Sequence, residues 1–512
     1  MNNAVELTAA GISPADVVAV ARRDAAVRLT ADAYTAMERS AALVAALAAS
    51  ERDAYGIVTG FGALAIVRIP ADRREQLQRA LVRSHAAGMG PAVEREVVRA
   101  MMLLRARTLA MGYSGARPLV AETLLALLGA GLTPVVPEHG SLGASGDLAP
   151  LAHCALALTG EGELDSPDGV RRPAAEALAA AGIEPLVLGP KEGLALINGT
   201  DGMLGMLVLA DEDLGGLLRL ADITAAMSVE ALLGTDRAFA ADLIALRPQP
   251  GQAASAANLR VLLAGSEIVA SHRHGDPRVQ DAYSLRCAPQ VAGAARDALA
   301  HAKRVADAEL RSAIDNPMVL PDGRVESCGN FHGAPVALAC DLLAIAAAQL
   351  GAIAERRTDR LLDVARSHGL PPFLAEDPGV DSGMMLAQYA QAAMVAENRR
   401  LATPASVDTL PTSAMQEDHV SIGWGAARKL RQAIANLTRI LAVELACASR
   451  ALELRAPLRP APATAAALAA VCERIPGPGP DRYLAPELAA AEALVGSGEL
   501  LAAVQARVGA LQ

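Results

Sequence analysis

The chain is poor in aromatic residues, with four Phe, six Tyr and one Trp in 512 positions. Its core must therefore come from Ala, Leu and Val, which suits close helix–helix packing better than a sheet. No CxxC occurs among the six cysteines, Cys154, Cys287, Cys328, Cys340, Cys447 and Cys472. Scattered in this way they suggest reduced, mostly buried thiols in a cytoplasmic protein, with neither a disulfide framework nor a zinc site. No Lys/Arg cluster stands out and the net charge is −10, which argues against a nucleic-acid partner. The longest nearly apolar run, LLAIAAAQLGAIA at 342–354, has 13 residues and contains Gln349. That is too short to span a bilayer and implies a buried helix and no membrane partner. The N-terminus carries Glu6 and Asp16 and has no basic start before an apolar stretch, so it is not a secretory signal.

What remains is strongly helical. Leu207, Ala210, Leu214, Leu217, Ala221, Ala225, Ser228 and Leu232 step by three and four, as do Leu430, Ile434, Leu437, Leu441, Leu445, Ala448 and Leu452. Each set lies on one helical face for many turns. A third stretch from Ala295 to Leu310 keeps the step, and Asn316-Pro317 marks its expected end. The expected fold is all-α. A loop-rich N-terminal region spans 1–200, a central long-helix bundle spans 201–455, and a C-terminal helical appendage at 456–512 includes the turn-rich break IPGPGPD.

Gly-rich, polar patches interrupt this background: YGIVTGFG, SHAAGMG, GSLGASGDLAP, INGTDG, VQDAYSLRCAPQ, SCGNFHG and TSAMQEDHVS. Tyr55, Phe61, Tyr283 and Phe331 sit in them, where a chain with an aliphatic core has no packing need for aromatics. Seven such patches suggest one large cleft built from several segments. GFGALA loosely matches a dinucleotide fingerprint, but IVRIPADRR follows where a helix should open. GASGD lacks the final glycine of a nucleophile elbow. His272, His274 and Asp276 form an H-x-H-x-D run without helical spacing or a partner cluster, closer to a solvated loop than to a metal site.

The Gly143-Ala144-Ser145-Gly146 segment is either a surface turn or chemistry. Gly146, with no Cβ, allows its amide nitrogen to approach the Ala144 carbonyl in a tight bend. Ring closure with loss of two waters, one of them from Ser145, would leave a methylidene on an imidazolone, an electrophile that needs no external cofactor. Asp147 would then cap the following helix, with Pro150 in its first turn, and the helix dipole would face the ring.

YGIVTGFG, RSHAAGMG, GSLGASGDLAPLAH, ALINGTDG, RVQDAYSLRCAPQV, IDNP, GNFHG and QEDHVS occur in this order across roughly residues 50 to 430. In these segments the chain resembles the histidine and aromatic amino-acid ammonia-lyases, whose prosthetic group is 4-methylidene-imidazol-5-one (MIO) formed from an internal Ala-Ser-Gly. The resemblance implies the ammonia-lyase fold, MIO from Ala144, Ser145 and Gly146, and homotetramers whose sites are shared between subunits. It also implies site roles. Tyr55 is a general base for the substrate β-proton, and Tyr283 is a second site tyrosine, so the choice between the two stays open. Arg286 holds the substrate carboxylate. Asn198 and Gln280 bond the carboxylate or the imidazolone oxygen, and Phe331 packs beside the ring.

Ser84-His85 is the histidine-type pairing, and Glu417, after Gln416, matches the acid that meets a substrate imidazole. A buried imidazole needs donors and acceptors that a phenyl pocket lacks. The expected reaction is L-histidine to trans-urocanate and ammonia, the opening step of histidine degradation. Met415, Ala282, Ala288 and Ala334 depart from the commonest family pattern, which bears on fine substrate preference. The rivals are a phenylalanine or tyrosine lyase or an aminomutase on the same prosthetic group, and a catalytically dead scaffold. A fumarase-type lyase would need a Gly-Ser-Ser-x-Met-Pro-x-Lys loop, which the chain lacks.

Overall fold

A computed structural model describes residues 4–50, 55–60, 62–64 and 66–512. Phe61 and Ala65, both within GFGALA, lie outside the described residues. The chain forms two compact units, each assembled from three stretches. One comprises residues 1–209, 302–341 and 404–428; the other comprises 210–301, 342–403 and 429–512.

The first unit is organised around the helix Arg95–Ala110, buried from Val97 onward. Its apolar side chains alone do not explain that burial, because Arg99, Arg105 and Arg107 are buried with them. Each guanidinium donates to backbone carbonyls, some of them in the last turn of a helix. Arg99 donates to Val20 O (3.1 Å) and Leu128 O (3.1 Å), and Arg105 to Ala195 O (2.7 Å) and Ile314 O (3.2 Å). Short strands of two to four residues pair into small sheets within this unit, such as the antiparallel Met89–Ala92 with Pro137–His139.

The long periodic stretches are helices. Asp201–Ala231 and Gly423–Glu453 bury every position of the two expected faces that falls within them. The third ends earlier than the proline signal suggests: Ala288–Glu309 stops seven residues before Asn316. Arg107 and Arg105 take the carbonyls of Ser312 and Ile314, so these groups accept from side chains where a helix would have used backbone N–H. The 342–354 run lies inside a longer helix, Ala334–Leu362. Among the described residues it is the one helix long and apolar enough to cross a membrane, and 61% of its most apolar window is buried within the protein. Leu338, Leu342 and Ile345 remain exposed along it.

In the second unit a buried ion pair replaces part of an apolar core. Glu444 accepts from Arg357 Nη2 (2.9 Å), Thr224 Oγ1 (2.8 Å) and Ser228 Oγ (2.8 Å). None of the six cysteines forms a disulfide, but only Cys154, Cys340 and Cys447 are buried; Cys472 is exposed. His272 faces the carbonyls of Ile268 and Gly234, and Asp276 pairs with Arg278. Two residues of the H-x-H-x-D run are therefore bonded within the protein, and His274 is exposed.

Candidate active site

The glycines of GSLGASGD form a tight bend. Gly143 (φ 73°), Ser145 (φ 55°) and Gly146 (φ 78°) are all left-handed, and the Gly146 N–H donates to Gly143 O (3.3 Å). A Cβ on Gly146 would lie 2.2 Å from Gly199 O, so glycine is obligatory there. Ser145 has no such freedom, and its positive φ stores strain of order 1–3 kcal/mol. The bend is pinned to the INGTDG segment, where the Asp147 N–H donates to Gly199 O (2.7 Å).

Asp147 does stand at the start of the helix Leu148–Leu158, but its side chain makes no cap bond there. It turns inward and accepts from Ser141 Oγ (2.9 Å) and from the Met203 N–H (2.9 Å). It thus caps the first turn of Asp201–Ala231, where amides are open and the dipole is positive. Burial pushes its carboxyl up to about 7, against the pull of these two donors.

Ser145 lies on the wall of a cavity of about 710 Å³, lined also by Tyr55, Ser84, His85, Asn198, Asn316 and Glu417. Leu64, Val67, Leu77, Leu81, Leu148, Leu194 and Ile197 make its walls largely apolar. Tyr55 Oη accepts from the Gly62 N–H (3.0 Å), and a Cβ at Gly62 would meet Ser413 Oγ at 2.7 Å. The two loops therefore approach as closely as glycine allows. Ser413, Ala414 and Met415 are left-handed in succession, and Glu417 closes their loop by accepting from Thr412 Oγ1 (2.8 Å).

His85 ends the helix Arg74–His85. Its Nδ1 lies 2.9 Å from Leu81 O, an acceptor, so Nδ1 carries the ring proton and Nε2 is left as an acceptor. Burial holds its pKa below the usual histidine value, opposed by the Leu81 bond and the charge of Glu417. His85 is thus a neutral imidazole in the field of Glu417, and this end of the cavity offers acceptors to a ligand ring.

Asn198 is buried, and its amide donates to Asp315 Oδ1 (3.3 Å) and Asn316 O (2.7 Å). Both amide hydrogens are therefore committed to protein acceptors.

The remaining candidates lie outside the cavity lining. Gln280, Tyr283 and Arg286 belong to the second unit. Tyr283 is 72% exposed, with the Arg286 guanidinium 4.7 Å from its ring centre. Phe331 is half-buried and Gln416 exposed. Asp315 and Asn316 were visible only as part of IDNP, and nothing in the sequence singled out Lys191, which pairs with Asp315 behind Asn198 (2.7 Å).

Solved structures share this architecture over the whole chain. A tyrosine aminomutase from Streptomyces globisporus superposes with a TM-score of 0.93 at 38% identity, covering 100% of both chains. A histidine ammonia-lyase from Trypanosoma cruzi does so at 0.91 and 37%, covering 99% of this chain and 96% of the other. The fold is thus that of the ammonia-lyases and aminomutases. A family model described as aromatic amino acid lyase matches residues 12–473. Proteins named histidine ammonia-lyase from Streptomyces avermitilis and Streptomyces griseus are each 63% identical to it, with 98% of each chain covered. The chain belongs to the aromatic amino acid lyase family.

Proposed function

We infer that the chain is a carbon–nitrogen lyase that converts L-histidine to trans-urocanate and ammonia. The observation that carries this reading is one cavity holding Ser145 in its strained bend together with the His85 and Glu417 acceptors suited to an imidazole ring. The names of the relatives at 63% identity support the same substrate.

The prosthetic group is proposed to be MIO from Ala144, Ser145 and Gly146. The bend fits it, because the chain folds back between Gly143 and Gly146 where a Cβ has no room. When formed, that group supplies an electrophilic carbon for the substrate amine. The protein's own residues do the rest. Glu417 and His85 flank the substrate ring, accept its N–H and orient it, and the apolar walls exclude water from the reacting carbons. Tyr55 lies on the cavity wall as a candidate base for the β-proton, and Tyr283 is the alternative.

Arg286 and Gln280 are proposed to reach the carboxylate from a neighbouring subunit of a homotetramer. Val279, Gln280 and Tyr283 of their segment are exposed in the single chain, as are Leu338, Leu342 and Ile345. Cysteines without disulfides suit a cytoplasmic setting.

The test is a parallel assay of purified protein with L-histidine, L-phenylalanine and L-tyrosine, read by near-ultraviolet absorbance and by amino-acid analysis. Urocanate from histidine alone is expected. Cinnamate or coumarate would overturn the His85–Glu417 assignment, and a β-amino acid would replace the lyase with an aminomutase.

A further inference from the structure

We propose that the second unit carries a pocket for a small oxyanion where the loop 272–281 meets Thr235–Arg237, and that its occupant stiffens the segment leading to Tyr283 and Arg286. The proposal stands whichever amino acid the Ser145 cavity takes.

The pocket is a cavity of about 260 Å³ that shares no lining residue with the one holding Ser145. It exceeds many times over the ~10–15 Å³ that holds one water. It falls just below the range of about 300–1,000 Å³ of ordinary ligand sites, so its occupant is small. His272 and Asp276 of the H-x-H-x-D run lie on its wall, and apart from Val269, Gly275 and Val279 every lining residue is polar or charged.

The charges on that wall decide the sign of the ligand. Three aspartates line it, and each already accepts from donors of the protein. Asp276 takes Arg278 Nη2 (2.6 Å) and the Arg278 N–H (2.9 Å). Asp281 takes the Thr235 N–H (2.7 Å), and Asp236 takes Arg273 Nη2 (3.1 Å). The arginines are not used up in the same way. Among the described residues the exposed Arg237 side chain has no hydrogen bond or ion pair, and Arg273 commits only Nη2. The charge of Arg278 is not cancelled by Asp276 either. Burial first, and then the charges of Arg278, Arg360 and Arg455, hold His368 below the usual histidine value. Two guanidinium groups with open N–H donors in one pocket match the oxygens of a phosphate or a carboxylate.

The position of the pocket gives its occupant a consequence. Val279, Gln280 and Asp281 form part of the wall. Asp281 ties this stretch to Thr235, but Val279 is fully exposed and the exposed Gln280 side chain has no hydrogen bond among the described residues. Ala282 follows as the cap of the helix Tyr283–Arg286. An oxyanion held by Arg237 and Arg273 adds contacts to a stretch that the single chain fastens at few points.

The experiment is titration calorimetry on the full-length protein in a buffer free of phosphate and carboxylates, with inorganic phosphate in one arm and acetate in the other. One saturable site per chain is expected. Arg237→Gln should weaken it about tenfold, as loss of one charge-assisted bond implies. That arginine makes no bond within the chain, so its replacement leaves the fold intact. Arg474→Gln, at an exposed position outside the pocket, should bind as the parent does. Tighter phosphate makes the ligand a phosphate compound, and tighter acetate makes it a carboxylate. No saturable binding of either ion, or equal binding by Arg237→Gln and the parent, overturns the site. Hydrogen exchange reads the second half of the proposal. Amides of 279–286 should slow when the parent is saturated with the tighter ion, and exchange there that stays unchanged overturns the stiffening.

Discussion

The unit built from residues 1–209, 302–341 and 404–428 gathers Tyr55, Ser84, His85, Ser145, Asn198 and Glu417 around one cavity. The other unit carries Gln280, Tyr283 and Arg286 on a segment where Val279 is fully exposed and Tyr283 72% exposed. In the first unit most of these side chains have a rigid backing. Asn198 leans on Asp315 and Lys191, Glu417 on Thr412, and His85 on Leu81. In the second, the short helix Tyr283–Arg286 anchors through the buried Leu285 and through Ser284 O, which accepts from the buried Arg357 (3.4 Å). The contrast teaches that a single chain prepares one set of groups completely and presents the other at its surface. That is the arrangement expected if a second copy completes the site.

The largest effect expected from breaking the prepared side is that of Ser145→Ala. Turnover should fall by at least about a thousandfold, with helix content and thermal unfolding little changed. Activity retained in that variant would remove the electrophile from the account. The contrast itself can be sharpened with hybrids. Tyr55→Phe and Tyr283→Phe are each expected to lower turnover by about a hundredfold or more. Co-assembled mixtures of the two should exceed either parent, because some sites would then draw an intact residue from each chain. Mixtures no better than their parents would mean that one chain supplies both tyrosines.

The smallest effect concerns Asp147. Burial raises its carboxyl from 3.8 to about 7, so the folded chain keeps a proton that the unfolded chain has released. The stability this contributes is full below about pH 4 and is lost as pH rises through 7. Asp147→Asn cannot ionise. Its melting temperature relative to the parent should therefore improve by about 1–3 °C between pH 4 and 7, as calorimetry would show. A difference that stays constant with pH would mean that Asp147 titrates as an ordinary aspartate.

Much of this molecule was legible because the signals are local. The step of three and four from Leu430 to Leu452 needs only a buried side to become the helix Gly423–Glu453. Gly143 and Gly146 around Ala144-Ser145 announced a backbone that other residues would not adopt. Other features depended on distant partners. The helix ending at Glu309 ran short of Asn316 because arginines some two hundred positions away take the carbonyls beyond it. Asp147 stands at a helix start yet serves a different helix, Asp201–Ala231.

Composition and periodicity, by themselves, determined that this chain is helical, and its ordered motifs carried the expected chemistry and the histidine-type ring contacts. Only the tertiary structure decided which way each polar group faces: His85 with Nε2 as acceptor, Asn198 with both hydrogens committed, Asp147 buried at about 7. The physical reason is that helix formation is governed by near neighbours along the chain. The donor or acceptor role of a buried side chain is set by whichever groups the fold brings against it.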